Sequence, residues 1–361
     1  LSLFSNVGIA EIFLKEIGID IVIANEIKEE RGKFYKHIYP KCNLFIGDIK
    51  KEYKKIKKEA LKEKCEFLLA TPPCQGMSVA NHKKSENEIE RNSLVRESVN
   101  IIKKINPRFF IFENVASFWK TGCVDNLGNI VTIGELITTE LGKSYTIYNE
   151  VLNFKNYGSN SSRTRTLVIG IKEDISDYIS PIELFPDYTK EKSLYEVIGK
   201  MKSLDWGEYD LDDFFHSFRL YPVSMREWIK DIKQGESAFD NLEDYKKPHK
   251  TVNGKIVINK AKNGDKYKRQ VYSKIAPCIH TRNDQMASQN TLHPIDDRVF
   301  SIRELMNMMT IPDSFKWLTK DLDELNALSL SEKQKISKKE ELNIRQSIGE
   351  AVPTIIFKQI A

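Results

Sequence analysis

The stretch Phe67-Leu68-Leu69-Ala70-Thr71-Pro72-Pro73-Cys74-Gln75-Gly76 decides the fold. Its first four residues are a short apolar run of the kind that forms a buried strand. Pro72 and Pro73 stop that strand and stiffen its exit, since each fixes φ and lacks an N–H. Cys74 follows at once. The pattern places a thiol at the carboxyl end of a strand, where open α/β sheets bind their ligands. A thiol held there is a candidate nucleophile. Most buried cysteines are inert, so the assignment needs support from the rest of the chain.

Outward from this stretch, the first half alternates strand and helix patterns. Strands are expected at residues 1–4, 20–24, 67–70, 109–112 and 167–171, and a further one just before Asp48. Residues 9–17 carry apolar side chains at helical spacing, with Gly18 as the end cap. Residues 50–64 form a lysine-rich helix with Tyr53, Ile56 and Ala60 on one side; its charged face reads as solvated. Residues 94–105 form another helix. Thr132-Ile133-Gly134-Glu135 has the spacing of a capping box, and Gly142 closes that helix. This alternation implies an α/β fold: a doubly wound, mostly parallel sheet.

Beyond Lys172 the texture changes. Pro181, Pro186, Pro222, Pro248 and Pro277 punctuate the chain, and Asn253-Gly254 signals a tight turn before a β-like run at 255–258. Ser301-Ile302-Arg303-Glu304 opens a helix with a capping box, and Pro312 ends it. The expected organisation is a first domain at 1–174, a smaller second domain at 175–290, and a further segment at 291–361. Residues 333–341 read as an exposed helical insert.

Composition sets bounds. The chain has 361 residues, enough for a large domain and a smaller one. Its five cysteines show no paired metal spacing, so no metal site is expected. That usage suits a reducing, cytoplasmic location. No run has the length of a membrane span and no signal peptide is visible. The chain opens inside an expected strand, so residues are expected to precede Leu1. A net charge of +5 and a pI near 8.7 permit a polyanionic partner without demanding one.

Several segments answer the Cys74 stretch in a fixed order. They are Leu3-Phe4-Ser5-Asn6-Val7-Gly8-Ile9-Ala10-Glu11, then Ala24-Asn25-Glu26, then Gly47-Asp48-Ile49. After Cys74 come Phe112-Glu113-Asn114-Val115, Tyr157-Gly158, Ser162-Arg163-Thr164-Arg165, residues 298–315, and Ile348-Gly349-Glu350-Ala351-Val352. Together they resemble the C5-cytosine DNA methyltransferase family of bacterial restriction-modification type, over nearly the whole chain.

The resemblance implies a Rossmann-like fold that uses S-adenosylmethionine, with 1–174 as the catalytic and cofactor-binding domain, 175–290 as a target-recognition domain, and 291–361 as a segment returning to the catalytic domain. A turn between strand and helix offers N–H groups to a ligand, and an acidic residue about 20 positions on can take ribose hydroxyls. Glu26, 22 positions after Phe4, fits that role. Asp48 is suited to accept from an adenine amino group. By resemblance Phe4 packs on the cofactor, Ile27 lies against the adenine, and Asn6, Val7, Gly8, Ile49, Pro72, Ala351 and Val352 complete the pocket. The family has Gly at Asn6, Gln at Ser161 and Asn at Glu350. Asn tolerates positive φ, so the first turn is expected to survive.

The chemistry follows from the same residues. Cys74 adds to C6 of cytosine, which makes C5 nucleophilic. Glu113 supplies a proton or hydrogen bond at N3, which requires burial to raise its pKa. By resemblance Arg165 binds O2 and Arg163 organises Glu113 or a phosphate. The target base must leave the stack. Residues 76–93 resemble the family's catalytic loop; Gln75, Ser78 and Arg91 are its candidate DNA contacts. In the second domain Arg282, Asn283, Gln285 and Gln289 have donor and acceptor patterns that read base edges. The expected partner is double-stranded DNA, with a cognate restriction endonuclease acting separately, no membrane, and a monomeric enzyme. The alternatives are a tRNA cytosine-5 methyltransferase and a catalytically inactive DNA-binding relative.

Overall fold

The computed structural model describes residues 1–73, 89–90, 92–218, 220–260 and 264–360. The chain divides into two compact units. One comprises Leu1–Tyr157, Thr164–Tyr188 and Thr354–Ala361; the other comprises Gly158–Arg163 and Thr189–Pro353.

The first unit is built on a seven-stranded sheet. Its strands are β1 (Ser2–Leu3), β2 (Ile23–Glu26), β3 (Asn43–Ile46), β4 (Phe67–Ala70), β5 (Phe109–Val115), β8 (Tyr145–Asn153) and β9 (Thr164–Lys172). A separate antiparallel pair, β6 (Gly122–Val124) and β7 (Ile130–Thr132), lies between β5 and β8 in sequence. The order across the sheet is β3-β2-β1-β4-β5-β9-β8. β1 to β5 are parallel, while β9 runs antiparallel to both β5 and β8. Strand order reverses at β1, with β2 on one side and β4 on the other. Such a switch point opens a crevice at the carboxyl ends of its strands.

The helices follow from local pattern. α1 (Glu29–Ile38) buries Phe34 and Tyr35. α2 (Ile49–Lys62) buries Ile49, Ile56 and Ala60, the stripe expected from spacing, and keeps its lysines outward. α3 (Leu94–Ile105) ends at Asn106 in the left-handed conformation, φ 51°. α4 (Ile133–Leu141) starts with the Thr132–Glu135 capping box. Val95, Val99, Ile102, Leu136 and Ile137 join Leu68, Phe110 and Phe112 in one core.

Three expectations change. Residues 9–17 form two short 3-10 turns, Ile9–Glu11 and Leu14–Ile17, not one helix. The buried Glu11 carboxylate accepts hydroxyl bonds from Ser2 and Tyr35, which fixes the first turn. Gly18 still closes the run at φ 86°. Residues 175–188 stay with the first unit, and 291–353 belong to the second; only Thr354–Ala361 returns. The reason is packing: Leu292 and Val299 enter the second unit's core with Trp228, Ile229, Tyr267 and Met286. The terminal helix Thr354–Ile360 sets Lys358 4.8 Å from the Phe13 ring centroid and pairs it with Glu16. Finally, Lys333 is not exposed. It lies on the 21-residue helix Leu330–Glu350 and is buried, donating to the Leu211 carbonyl at 2.8 Å.

The second unit also contains a buried charge network. Arg298 makes a bidentate pair with Glu304 at 2.8 and 2.9 Å and reaches Asp296 at 2.7 Å. Glu304 is the capping-box acid of the helix Ile302–Met308 and accepts from the Ser301 N–H at 2.7 Å. Arg269 donates to the carbonyls of Ile229, Ile232, His293, Ile295 and Asp296.

Candidate active site

The strand ends at the switch point supply the first cluster. The chain leaves β1 through Phe4 at φ 60° and Asn6 at φ 51°, then Gly8 at φ 81°. Left-handed φ at an aromatic residue is a local strain of the kind found at functional sites. Asn6, where glycine is usual, does adopt the positive φ expected of it. Gly8 has a second constraint: a Cβ there would stand 2.3 Å from the Tyr39 ring. Tyr39 in turn donates its hydroxyl to the Gly8 carbonyl at 2.8 Å.

Glu26 ends β2 and is buried. The Asn6 N–H donates to its Oε2 and the Lys28 N–H to its Oε1, both at 2.9 Å. The carboxylate is thereby aimed at the turn after β1. Arg31, buried on α1, donates to Asn6 Oδ1 at 2.6 Å and steadies the turn from the other side. Asn25 ties β2 to the end of β3 and the residue after it, donating to the Phe45 and Gly47 carbonyls at 2.9 and 3.1 Å. Asp48 caps α2, accepting from the Lys50 N–H at 2.9 Å. Ile27 is 64% exposed beside Glu26, which leaves an apolar surface for a ring. Val7 and Ile49 are buried.

The second cluster lies where β4 and β5 end. Thr71 donates its hydroxyl to the Phe4 carbonyl at 3.1 Å. Asn114 donates to the Pro72 carbonyl at 2.8 Å. These bonds fix the backbone two residues before Cys74. Cys74 itself, with Gln75, Ser78 and Arg91, lies outside the described residues.

Glu113 is buried on β5. Because β9 is antiparallel to β5, its first residues lie beside the carboxyl end of β5. Val115 is opposite Arg165 and Glu113 is opposite Leu167. Arg165 is therefore a same-face diagonal neighbour of Glu113, and its Nε lies 3.2 Å from Oε1. Arg165 thus holds Glu113 from the neighbouring strand. Arg163 belongs to the second unit, where its guanidinium is 3.4 and 3.5 Å from the carbonyls of Gly349 and Glu350. Ala351 and Val352 also belong to the second unit and are buried there. Gly349 is packed too tightly for a side chain, since a Cβ would meet the His280 carbonyl oxygen at 2.5 Å.

Asn283 departs from its expected place on a DNA surface. It is buried, and its amide donates to the carbonyls of His280 and Arg345 at 2.7 and 2.8 Å. Its donors are occupied by the fold. Arg282 is exposed. Arg31 is a supporting residue that no sequence signal singled out; Asn25, Thr71 and Asn114 sit inside the quoted segments without an assigned role. A cavity of about 490 Å³ in the first unit is lined by Leu1, Phe67 and Phe109 at the opposite, amino edge of the sheet, and contains none of these residues.

The family model described as C-5 cytosine-specific DNA methylase matches residues 1–361. The type II methyltransferase M1.HgaI of Avibacterium volantium is 32% identical, over 100% of this chain and 96% of its own length. The type II methyltransferase M1.HphI of Haemophilus parahaemolyticus is 23% identical, over 100% and 85%. Among solved structures, a prophage-encoded DNA modification methyltransferase from E. coli superposes with a TM-score of 0.66 at 16% identity, over 99% of this chain and 96% of that one. The Spodoptera frugiperda DNMT2 mutant superposes with a TM-score of 0.60 at 18% identity, over 99% and 96%. At those identities the structures attest the fold.

Proposed function

The chain belongs to the C-5 cytosine-specific DNA methylase family, and on that premise we propose how its own residues carry the reaction. The enzyme is a DNA cytosine-5 methyltransferase that uses S-adenosylmethionine.

The residues present fit that cofactor. The left-handed turn through Asn6 and Gly8 follows β1, and Glu26 is a carboxylate held by two N–H groups beside it. Glu26 would take the ribose hydroxyls, Asp48 the adenine amino group, and Ile27 the ring face. Phe4, Asn6, Val7, Gly8, Ile49 and Pro72 would line the pocket. When bound, S-adenosylmethionine supplies a methyl group on a sulfonium sulfur, the electrophile for C5.

The thiolate of Cys74 adds to C6 of the flipped cytosine and gives C5 enamine character. Charge that develops on the ring is met at N3 by Glu113 and at O2 by Arg165. Arg165 presents a rigid multi-donor fork and serves both Glu113 and the base edge. After methyl transfer, loss of the C5 proton and elimination of the thiolate restore the aromatic ring. Thr71 and Asn114 anchor the β4 exit, so that Cys74 leaves a fixed backbone. The observation that carries this reading is the Glu113–Arg165 pair at the same strand edge as the Glu26 cradle.

The second unit is assigned target recognition, and Arg163 the support of the helix end at Gly349 and Glu350. Gln75, Ser78, Arg91 and Arg282 are assigned DNA contacts. A separate restriction endonuclease, in line with the likeness to type II methyltransferases, and a monomeric state complete the proposal. Among the described residues no helix is long and apolar enough to cross a membrane. Bisulfite sequencing of plasmid DNA from cells expressing the chain tests the proposal. Cytosines within one short sequence should resist conversion, and Cys74→Ser should abolish that resistance. Full conversion with wild type contradicts the reading.

A further inference from the structure

The second unit carries an element that its own packing does not explain. β10 (His249–Val252) and β11 (Lys255–Ile258) form an antiparallel ribbon closed by the Asn253-Gly254 turn, with φ 49° and 74° at the two turn residues. Its root is anchored. The His249 ring lies 5.5 Å from the ring of Trp228, a core residue, and the Asn259 N–H donates to the Pro248 carbonyl at 2.8 Å. Beyond the root, every residue from Lys250 to Ile258 is exposed. Val252, Ile256, Val257 and Ile258 are 38% to 51% exposed, an unusual amount of apolar surface for a short ribbon. An isolated two-stranded hairpin is marginal in water, so this one gains stability only at its root or from a partner.

Register sorts the side chains. Residues directly opposite share a face. Lys250 is opposite Val257 and Val252 is opposite Lys255, so both lysines and both valines lie on one face. His249, Thr251, Ile256 and Ile258 lie on the other, the face whose root packs on Trp228. The lysine face is the free one.

Charge identifies the partner. From Tyr245 to Gly264 there is no Asp or Glu and there are six lysines. Lys246 and Lys247 pair with Asp231 and Asp244. Among the described residues Lys250, Lys255 and Lys260 enter no ion pair. A two-stranded ribbon fits the major groove of B-DNA, roughly 12 Å wide. Four residues per strand give a reach of about 13 Å. Lysines suit phosphates, and exposed valine or isoleucine suits the thymine methyl group.

We propose that the ribbon His249–Ile258 is the element of the second unit that enters the major groove of the substrate duplex. Its lysine face grips phosphates and its apolar side chains lie against base edges. This rests on the reading of duplex DNA as the substrate. It places the DNA-reading surface on a segment distinct from the Arg282–Gln289 loop.

The test is a fluorescence-anisotropy titration of the whole protein with a duplex containing the site mapped by bisulfite sequencing, across a salt series. Four forms are compared: wild type, K250Q/K255Q, V252T/V257T, and K54Q/K58Q on the exposed face of α2. Losing two phosphate contacts should lower the slope of log affinity against log salt by about 2 and weaken binding at moderate salt roughly tenfold or more. The α2 pair should leave both unchanged. V252T/V257T should keep the slope but narrow the preference for the mapped duplex over a scrambled one. Unchanged S-adenosylmethionine binding by calorimetry confirms that each variant is folded. The proposal is overturned if K250Q/K255Q binds like wild type, or if the α2 pair loses as much. It is also overturned if the ribbon variants change only self-association by sedimentation, which would make the ribbon a protein contact. Wild type that binds no duplex at all overturns the DNA reading itself, a distinct outcome.

Discussion

Asn6 and Arg31 show how one substitution can be absorbed by another residue. At Asn6 the backbone needs positive φ, which glycine adopts freely and asparagine tolerates. The Arg31 guanidinium holds the Asn6 side chain, so the Asn6 N–H stays directed at Glu26. Arg31→Met should therefore weaken S-adenosylmethionine binding by about 1.5–3 kcal/mol, the range for a charge-assisted hydrogen bond. In an Asn6→Gly background the same change should cost far less, because the tie no longer exists. A calorimetric double-mutant cycle measures the difference; strictly additive losses would show that Arg31 acts elsewhere. The sequence reveals Asn6 as a departure but not its partner. A buried arginine 25 positions away leaves no local pattern, whereas the acid about 20 positions after the turn does. The place of Arg165 beside Glu113 was equally hidden, because it depends on the register of β9 against β5.

Elements set by local chemistry were the most legible. Capping boxes at Thr132 and Ser301, the apolar stripe of α2 and the Asn253-Gly254 turn all form where the pattern puts them. The segment 9–17 was misread because its geometry is decided by Glu11, whose partners Ser2 and Tyr35 lie on other elements. Burial pushes the Glu11 carboxyl up to about 7, against the lowering effect of the Ser2 and Tyr35 hydroxyls. A raised carboxyl pKa means that the folded state holds the proton longer than the unfolded one. The associated stability is present below about pH 4.5 and is lost as pH rises to about 7, on the order of 3 kcal/mol in all. Glu11→Gln keeps an acceptor for the hydroxyls but cannot ionise. Its melting temperature should fall less than that of wild type between pH 5 and pH 8. Parallel curves for the two proteins would contradict this account of the turn.

Across the whole molecule, the two units carry opposite acid responses. In the second unit burial alone would raise the Glu304 carboxyl, but Arg298 and then His293 bring it down to about 2. Burial, chiefly, holds His293 down at about 4. Both lowered groups bind protons more readily when unfolded. The histidine's contribution is present above about pH 6.5 and fades as pH falls toward 4; that of Glu304 fades below about 4.5. Acidification should thus loosen Thr189–Pro353 first, seen as earlier amide exchange there once intrinsic rates are corrected. Glu304→Gln should cost about 3–5 kcal/mol, because it leaves the buried Arg298 charge without its bidentate partner. A loss under about 1 kcal/mol in denaturant titration would mean that the network is not a structural anchor. The boundary of this unit was legible only in part. Its start shows as a change of texture after Lys172, but residues 291–353 carry family motifs and still pack with Trp228 and Tyr267. The central claim concerns the whole assembly of strand ends: Cys74, delivered by the anchored exit of β4, adds to C6 of a flipped cytosine. Fluorine at C5 cannot leave as a proton does, so a duplex with 5-fluorocytosine at the target position should trap the methylated adduct. Wild type with S-adenosylmethionine should give a protein–DNA band that survives denaturing electrophoresis, and Cys74→Ser should give none. An adduct with Cys74→Ser, or trapping of wild type on RNA but never on DNA, would contradict the account.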